Sequence, residues 1–405
     1  MNKSFPYPFL RKNLSYCNQS HGQISKVDRP LSNLIQFRIF MLFFFCHIGI
    51  FQVAGQPNWP GFRGNQQLTG ATSQTIPDFP HLLFSFPTGD DIKASPVVAG
   101  QTIFCGSTDG NMYAIGLDGQ LKWKFAGGNS IEAPALWIEN SVVFGTLDGW
   151  FFRLDDKTGK QLWKYKTDNQ IMGSANWHKD RTKIRLLVGS YDYNLHAVGL
   201  AKGDSLWRYE SDNYINGAPA IYQKYAVFGG CDGFIHLVNI ETGKVFKKIR
   251  LETYIASSPL IEGHLAFVGD YEGRFFCLDL EAGKVAWSFK DPGMNLPFLA
   301  SPALSENLLV IGNQDRFLYC INKNSGKLIW KVKTSNRIES SSVISGNKVI
   351  TGTMDGILYI HDLKTGNELW KYELGSPITG NPAVCSGKIV VGAGDGRIYV
   401  FGVKN

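Results

Sequence analysis

An Asp-Gly-type turn returns eight times along this chain: Asp109-Gly110, Asp148-Gly149, Asp192-Tyr193, Asp232-Gly233, Glu272-Gly273, Asp315-Arg316, Asp355-Gly356 and Asp395-Gly396. Successive turns lie 39, 44, 40, 40, 43, 40 and 40 residues apart. Repetition at this period, with short alternating strands between the turns, signals a β-propeller or a solenoid. Such a scaffold hosts very different activities, so it fixes architecture before it fixes function.

One unit, Ser258 to Lys290, shows the local logic. Ser258-Pro259-Leu260-Ile261 reads as a short inner strand, and Pro259 stands at its start, where a missing N–H costs little. His264 to Gly269, Arg274 to Asp279 and Lys284 to Phe289 read as three further strands, separated by turns at Glu262-Gly263, Glu272-Gly273 and Glu281-Gly283. Four antiparallel strands make one blade. The predicted fold is therefore all-β: an eight-bladed β-propeller over residues 82–405, with four antiparallel strands per blade.

The fourth strand carries Trp123, Trp163, Trp207, Trp287, Trp330 or Trp370, each four residues after a turn glycine. An apolar residue follows at period two, while lysine, arginine or serine stands between and points away. A tryptophan buries roughly 200 Å², which at about 25 cal/mol/Å² is several kcal/mol before entropy is counted. A column repeated in this way is read as docking of blade on blade, not as ligand stacking. One unit departs. Lys247 takes the tryptophan's place, and that interface is expected to be weaker or differently packed.

The eighth unit ends after Phe401 without a fourth strand. The missing piece stands at the other end, because Phe84 lies twelve residues before Pro96 as Trp370 lies twelve before Pro382. The segment Leu83 to Phe86 is predicted to pair into the C-terminal blade and leave no open edge. Two insertions, Asn176–Ile184 and Asp291–Phe298, interrupt the period and read as inserted loops.

The formal net charge is +7, but six Lys or Arg against Asp28 in residues 1–55 account for +5 and leave +2 for the rest. No basic stripe remains, which argues against a nucleic-acid partner. Residues 1–38 form a polar leader, or an over-extended start with the initiator nearer Met41. Residues 39–55 are apolar after Arg38, with Val53 and Gly55 suited to cleavage. This segment reads as a secretory signal; its rival is an uncleaved anchor, which would be the only membrane contact. A lipid-modified Cys46 is not expected, since Phe-Phe-Phe precedes it. Residues 56–81 form an N-terminal arm. Export to the periplasm, the cell envelope or the medium follows from the signal reading. Five cysteines remain beyond residue 55, and an odd number does not suggest a disulfide framework. Cys277 and Cys320 are expected as buried thiols.

The chemical candidates are few. One acid per blade does not converge on a single cation, so the turn aspartates read as turn formers and no metal site is expected. His196 and His236 share a column with Tyr113, Phe152, Phe276, Tyr319, Tyr359 and Tyr399, and read as aromatic replacements with a polar tip. There is no Gly-x-Ser-x-Gly elbow, no His-Glu-x-x-His and no phosphate loop. The best binding candidates are the residues before each innermost strand: Lys93, Glu132, Met172, Asn216, Ala256, Leu299, Glu339 and Thr379. They should ring one mouth of a central channel, with Lys93, Glu132, Asn216, Glu339 and Thr379 as its polar members.

The third-to-fourth strand pattern, as in Phe152-Arg153-Leu154-Asp155-Asp156-Lys157-Thr158-Gly159-Lys160-Gln161-Leu162-Trp163, resembles the pyrroloquinoline-quinone-like propeller repeat. Trp59-Pro60-Gly61-Phe62-Arg63-Gly64 is similar to the lead-in found before such propellers in exported bacterial proteins. The resemblance covers nearly everything after residue 55 and implies one of two functions. The family includes quinoprotein alcohol dehydrogenases, and it includes non-catalytic propellers such as the outer-membrane protein assembly propeller. The dehydrogenases carry an adjacent Cys-Cys pair, which this chain lacks, and a Ca²⁺ carboxylate and catalytic Asp on insertions that find no counterpart here. No catalytic residue is carried over. The expected function is a non-catalytic scaffold that binds proteins or envelope components without a cofactor. The alternatives are a quinone-dependent oxidoreductase using pyrroloquinoline quinone with Ca²⁺, or a degenerate relative of one, and a glycan-binding module. The Trp59–Arg63 segment either feeds a partner or is an ordered arm over apolar surface.

Overall fold

The computed structural model describes residues 58–181 and 183–404. The leader and the apolar segment 39–55 lie outside the described residues. Among the described residues no helix is long and apolar enough to cross a membrane.

Each repeat folds into one antiparallel four-stranded sheet, and among the described residues there are eight such sheets. In the first blade the strands Val97–Ala99, Thr102–Gly106, Asn111–Gly116 and Leu121–Ala126 run in order from the innermost outward. The innermost strands of neighbouring blades meet around the axis, and Val97–Ala99 lies beside Ala383–Cys385 of the eighth blade. The ring therefore closes first blade on eighth.

Closure is made by His81–Pro87, which pairs antiparallel with Arg397–Gly402. Phe84 stands opposite Val400, and Phe86 opposite Ile398. The register slips between Leu82 and Phe84, as it slips in the fourth strands of the other blades. The segment thus occupies a fourth strand's place, and it begins one residue earlier than the 82–405 boundary drawn from sequence. Phe84 then does what the tryptophans do elsewhere. A Cβ on the turn residue Gly119 of the next blade would lie 3.2 Å from its ring.

The apolar core is divided into clusters between blades. One joins Phe104 and Trp123 of the first blade to Phe144 and Phe152 of the second. Trp123, Trp163, Trp207, Trp287 and Trp330 each lie on the turn glycine of the following blade. At Gly159, whose φ is +69°, an added Cβ would stand 2.7 Å from the Trp123 ring, so neither the conformation nor the space admits a side chain. Their indole N–H groups donate to a carbonyl of that following blade: Trp123 to Asp156 at 2.9 Å, Trp163 to Leu200 at 2.8 Å, Trp207 to Ile240 at 3.0 Å. Trp287 and Trp330 reach Lys323 and Leu363, each at 3.0 Å. Lys247 reaches the equivalent carbonyl, Leu280, with its ammonium at 3.0 Å. The exceptional junction is therefore differently packed but keeps its acceptor, and Leu68 from the arm enters its apolar cluster.

The first insertion is not a loop, contrary to the sequence reading. Asn176–Asp180 and Lys183–Gly189 pair as a hairpin, longer than the inner hairpins of the other blades. Alternating side chains let the extra residues continue the ladder. The second insertion is a loop whose last residue, Phe298, is buried against Gly269. It fills the place that isoleucine holds elsewhere, as Ile131 does against Gly106. Cys277 and Cys320 are both buried free thiols.

The arm runs around the axis across the innermost strands. Trp59 forms an antiparallel bridge with Val98. The N–H groups of Trp137, Ile221, Ile261, Leu304 and Ile344 donate to Pro60, Gln66, Gln67, Thr69 and Gly70 at 2.6, 3.0, 2.9, 3.0 and 2.9 Å. In the third blade the contact is reversed, with Gln66 Nε2 donating to Trp177 O at 2.6 Å. Every one of these partners is the second residue of an innermost strand. Ala71–Thr72 then adds a short parallel strand beside Val343–Ser345. Of the two readings of this segment, the structure takes the ordered arm.

Candidate functional site

The arm seals one end of the channel, and its central residue is fully buried. Arg63 Nη2 donates to Pro302 O at 2.7 Å, and Nη1 donates to Ser342 O at 2.7 Å and Ser341 O at 3.2 Å. A guanidinium presents five donors in a fixed fork, which suits a ring of converging carbonyls. Its neighbour Phe62 faces the other way and forms part of the floor of a cavity that opens at the opposite end.

That cavity, of about 190 Å³, is lined by all eight residues picked out before the innermost strands, from Lys93 to Thr379. Lys93 and Glu132 form an ion pair at 3.0 Å, and this hydrogen bond holds the Lys93 ammonium above the ordinary lysine range. Glu339 accepts from Arg337 Nε at 3.1 Å and from Gln314 Nε2 at 3.0 Å. Asn216 Nδ2 lies 3.3 Å from Cys231 Sγ. The charges of the mouth are thus paired within the protein.

Deeper in the wall a polar belt joins the blades. Ser258 Oγ, Ser301 Oγ, Ser341 Oγ, Asn381 Oδ1 and Ser95 Oγ each accept a backbone N–H from the preceding blade, at 2.7 to 3.0 Å. The belt covers the junctions from the fourth blade round to the first. Three buried polar atoms on residues of this lining have no hydrogen-bond partner among the described residues: Asn216 Oδ1, Thr379 Oγ1 and Asn381 Nδ2. Sequence position found the first two residues, but their unmet capacity has no signature in sequence.

The turn aspartates surround this open end and do more than shape turns. Asp109 Oδ1 accepts Asn111 N–H at 2.9 Å, and Oδ2 accepts the Tyr113 hydroxyl at 2.6 Å. Tyr399 pairs likewise with Asp395 at 2.5 Å, and Tyr319 with Asp315. In two blades histidine replaces the tyrosine. His196 Nε2 lies 2.9 Å from Asp192 and His236 Nε2 lies 2.8 Å from Asp232, while Tyr165 and Tyr209 from the preceding blades meet their Nδ1 atoms at 3.0 Å. Burial pushes the Asp192 carboxyl up, but the hydrogen bond and charge of His196 outweigh it and hold the group at about 2. Both imidazoles are buried locks between blades. The signal missed in the sequence was the spacing itself, an acid followed at the fourth position by tyrosine or histidine.

Comparison with known proteins gives these features a family. The family model described as outer membrane protein assembly factor BamB matches residues 69–289, 191–331 and 293–405. The chain belongs to this family. The structure of BamB from Moraxella catarrhalis superposes with a TM-score of 0.69 at 17% identity, covering 80% of this chain and 98% of that one. A europium-containing methanol dehydrogenase superposes with a TM-score of 0.73 at 16% identity, covering 86% of this chain and 98% of that one. At these identities the likeness is one of fold. The lanthanide-dependent methanol dehydrogenase of Methylorubrum extorquens is 36% identical over 88 residues, 22% of this chain and 15% of that enzyme. The match therefore spans a small part of the curated relative.

A quinone cofactor bearing three carboxylates, held with a metal ion, asks for several cationic side chains and a cluster of oxygen ligands. The mouth offers one lysine, already engaged by Glu132. Among the described residues no group of three or more His, Cys, Asp or Glu is placed to hold a metal. Arg63, beneath the floor, is spent on backbone carbonyls. These residues do not fit that cofactor.

Proposed function

We propose that this chain is an exported, non-catalytic propeller scaffold of the BamB family that binds proteins or other components of the cell envelope. The observation that carries the reading is the channel itself. One end is closed by the chain's own arm, and the charged groups at the other are neutralised by each other. Among the described residues such a site offers no activated nucleophile, no acid–base pair facing a substrate and no metal cluster of its own. The family match supports the same reading.

In-cell crosslinking followed by mass spectrometry tests the proposal. Recovery of defined envelope partners is expected. Recovery of none above background would count against a scaffold. A quinone-dependent oxidoreductase is the second reading, favoured by the stretch shared with the lanthanide-dependent methanol dehydrogenase. Purified protein is mixed with pyrroloquinoline quinone and either Ca²⁺ or a lanthanide ion, and dye-linked alcohol oxidation is followed. Stoichiometric quinone binding with turnover would replace the scaffold reading.

A further inference from the structure

The sixth blade departs from the acid–tyrosine pattern of the open end, and the departure comes from the second insertion. In the first and third blades the turn acid accepts a backbone N–H from the connection that enters the blade. Gly89 donates to Asp109 Oδ2 at 2.9 Å, and Asp168 donates to Asp192 Oδ2 at 3.0 Å. Each donor stands three residues after an aromatic of the preceding fourth strand, Phe86 or Tyr165. The same count from Phe289 reaches Pro292, which has no N–H to give. The residue before this proline brings a second carboxylate instead. Asp291 Oδ2 lies 3.0 Å from the Tyr319 hydroxyl, and Asp315 Oδ2 meets the same hydroxyl. Lys331 Nζ lies 2.7 Å from Asp291 Oδ2, and Asp315 Oδ1 accepts Phe317 N–H at 2.9 Å. Tyr319 is fully buried, and the Asp291 side chain is 10% exposed.

A phenol carries one hydrogen and can donate to only one of these acids. The other contact would set oxygen against oxygen unless that carboxyl keeps a hydrogen of its own. Lys331 already neutralises Asp291, so the proton belongs on Asp315. One chain then satisfies every group. Asp315 O–H donates to the Tyr319 oxygen, Tyr319 O–H donates to Asp291, and the Lys331 ammonium donates to Asp291. We infer that Asp315, Tyr319 and Asp291 form a proton-held clamp that fixes the insertion Asp291–Phe298 and loosens when the proton leaves to solvent. The insertion leads directly into Leu299, which lines the mouth cavity, so the clamp governs one sector of the rim. Burial pushes the Asp315 carboxyl above its ordinary 3.8 and the charge of Asp291 adds to this, against the Tyr319 and Phe317 hydrogen bonds and the Lys331 charge. Arg316, next in the chain, is exposed. The acids of the first, third and fourth blades, Asp109, Asp192 and Asp232, are all held below the ordinary value. A carboxyl raised by folding contributes fully below its unfolded value, and the contribution is lost as pH rises through the folded one. Asp315 thus responds in the opposite sense to Asp192. The far end of the insertion is held separately, with Phe298 N–H donating to Asp270 O at 2.9 Å and Asn313 Nδ2 to Leu296 O at 3.0 Å. Release should therefore stay local to the near end, where Met294 N–H donates to Asp291 O at 3.1 Å. This inference does not rest on the scaffold reading.

The test is a pH titration of the full chain by NMR, following the side-chain carboxyl carbon of Asp315, which Asp315→Asn assigns. A midpoint above 3.8 is expected. Hydrogen exchange of the Met294 amide, corrected for its intrinsic rate, should lose protection severalfold as pH rises through that midpoint, while the Phe298 amide holds. Asp315→Asn keeps a permanently neutral donor beside Tyr319 and should leave Met294 protected across the whole range. Tyr319→Phe removes the link and should leave Met294 poorly protected at every pH, with Phe298 protection confirming that the blade still folds. The inference is overturned if Asp315 titrates at or below 3.8, if Met294 protection does not vary with pH, or if Asp315→Asn follows the wild-type profile.

Discussion

The two ends of the channel are built on opposite principles. At the sealed end the contacts are backbone to backbone, one N–H from each of several innermost strands, with Arg63 completing the set through carbonyl oxygens. At the open end the contacts depend on side chains: an ion pair, an amide on a thiol, serine hydroxyls accepting backbone N–H groups across blades. Backbone contacts do not depend on which side chain a repeat carries, so the sealed end holds whatever the blades' composition. Side-chain contacts change from blade to blade, and that variety breaks the eightfold symmetry. The lesson is that a repeat protein closes itself where its units are alike and varies where its contacts depend on side chains.

Removing the arm tests this contrast most severely. Deletion of residues 58–76 should strip the partners from Val98, Trp137, Ile221, Ile261, Leu304 and Ile344. We expect a large fall in melting temperature and loss of hydrogen-exchange protection at those amides, while the amides of the Asp109 and Asp192 turns change less. Equal loss at both ends would show that the ends are not independent. Arg63→Leu is the sharper cut. It takes the guanidinium from three backbone carbonyls and should cost about 1–3 kcal/mol in denaturant unfolding, the range for leaving a buried polar group unpaired. A loss below about 1 kcal/mol would mean the arm holds without it.

Acid should act on the open end through its turn aspartates. The Asp192 carboxyl lies at about 2 in the folded protein, below its ordinary 3.8. A depressed carboxyl contributes its stabilisation fully above the unfolded value and loses it as pH falls toward the folded one. The window is therefore from about pH 4 down to 2, and the contribution is roughly 2 kcal/mol. Asp192→Asn should flatten this part of the acid unfolding curve, and hydrogen exchange near pH 3 should open the Asp192 turn before the arm. A second acid effect should sharpen the picture at higher pH. Burial pushes His361 down to about 4. A histidine kept neutral by burial loses stability as pH falls from about 6.5 to 4, so His361→Leu, the residue type other blades hold there, should remove that slope. The smallest effect is expected at the mouth. Glu132→Gln breaks an ion pair whose lysine is half exposed, and should change stability by less than about 1 kcal/mol. Its stability cost would exceed that only if the mouth were load-sharing with the rest of the ring.

Most of the ring was legible because repetition averages over single residues. The Asp-Gly turns located the blades, the tryptophan column located the fourth strands, and the twelve-residue spacing from Phe84 to Pro96 located the closing strand. The arm's course was not legible, since a backbone N–H meeting a backbone carbonyl leaves no mark on side-chain choice. The insertion Asn176–Ile184 was misread as a loop because a period counts residues and does not say whether extra ones pair. Lys247 was readable as an exception but not as a substitute, because its ammonium reaches Leu280 O only through the bend of a long stem. At the mouth, position within the repeat picked the eight lining residues. Which polar atoms among them lack partners depends on neighbours from other blades, and one sequence does not give those distances.

The pairing of His81–Pro87 with Arg397–Gly402 also sets an order of assembly. A strand near one end waits, unmatched, until its complement some three hundred residues later has been made. Entropy disfavours so long a loop, though only logarithmically with length, and contacts of this separation form slowly. The seven intermediate sheets have near neighbours and need no such delay. The joining of head to tail is thus expected to be the last step of folding, and until it happens the ring is an unlatched bracelet.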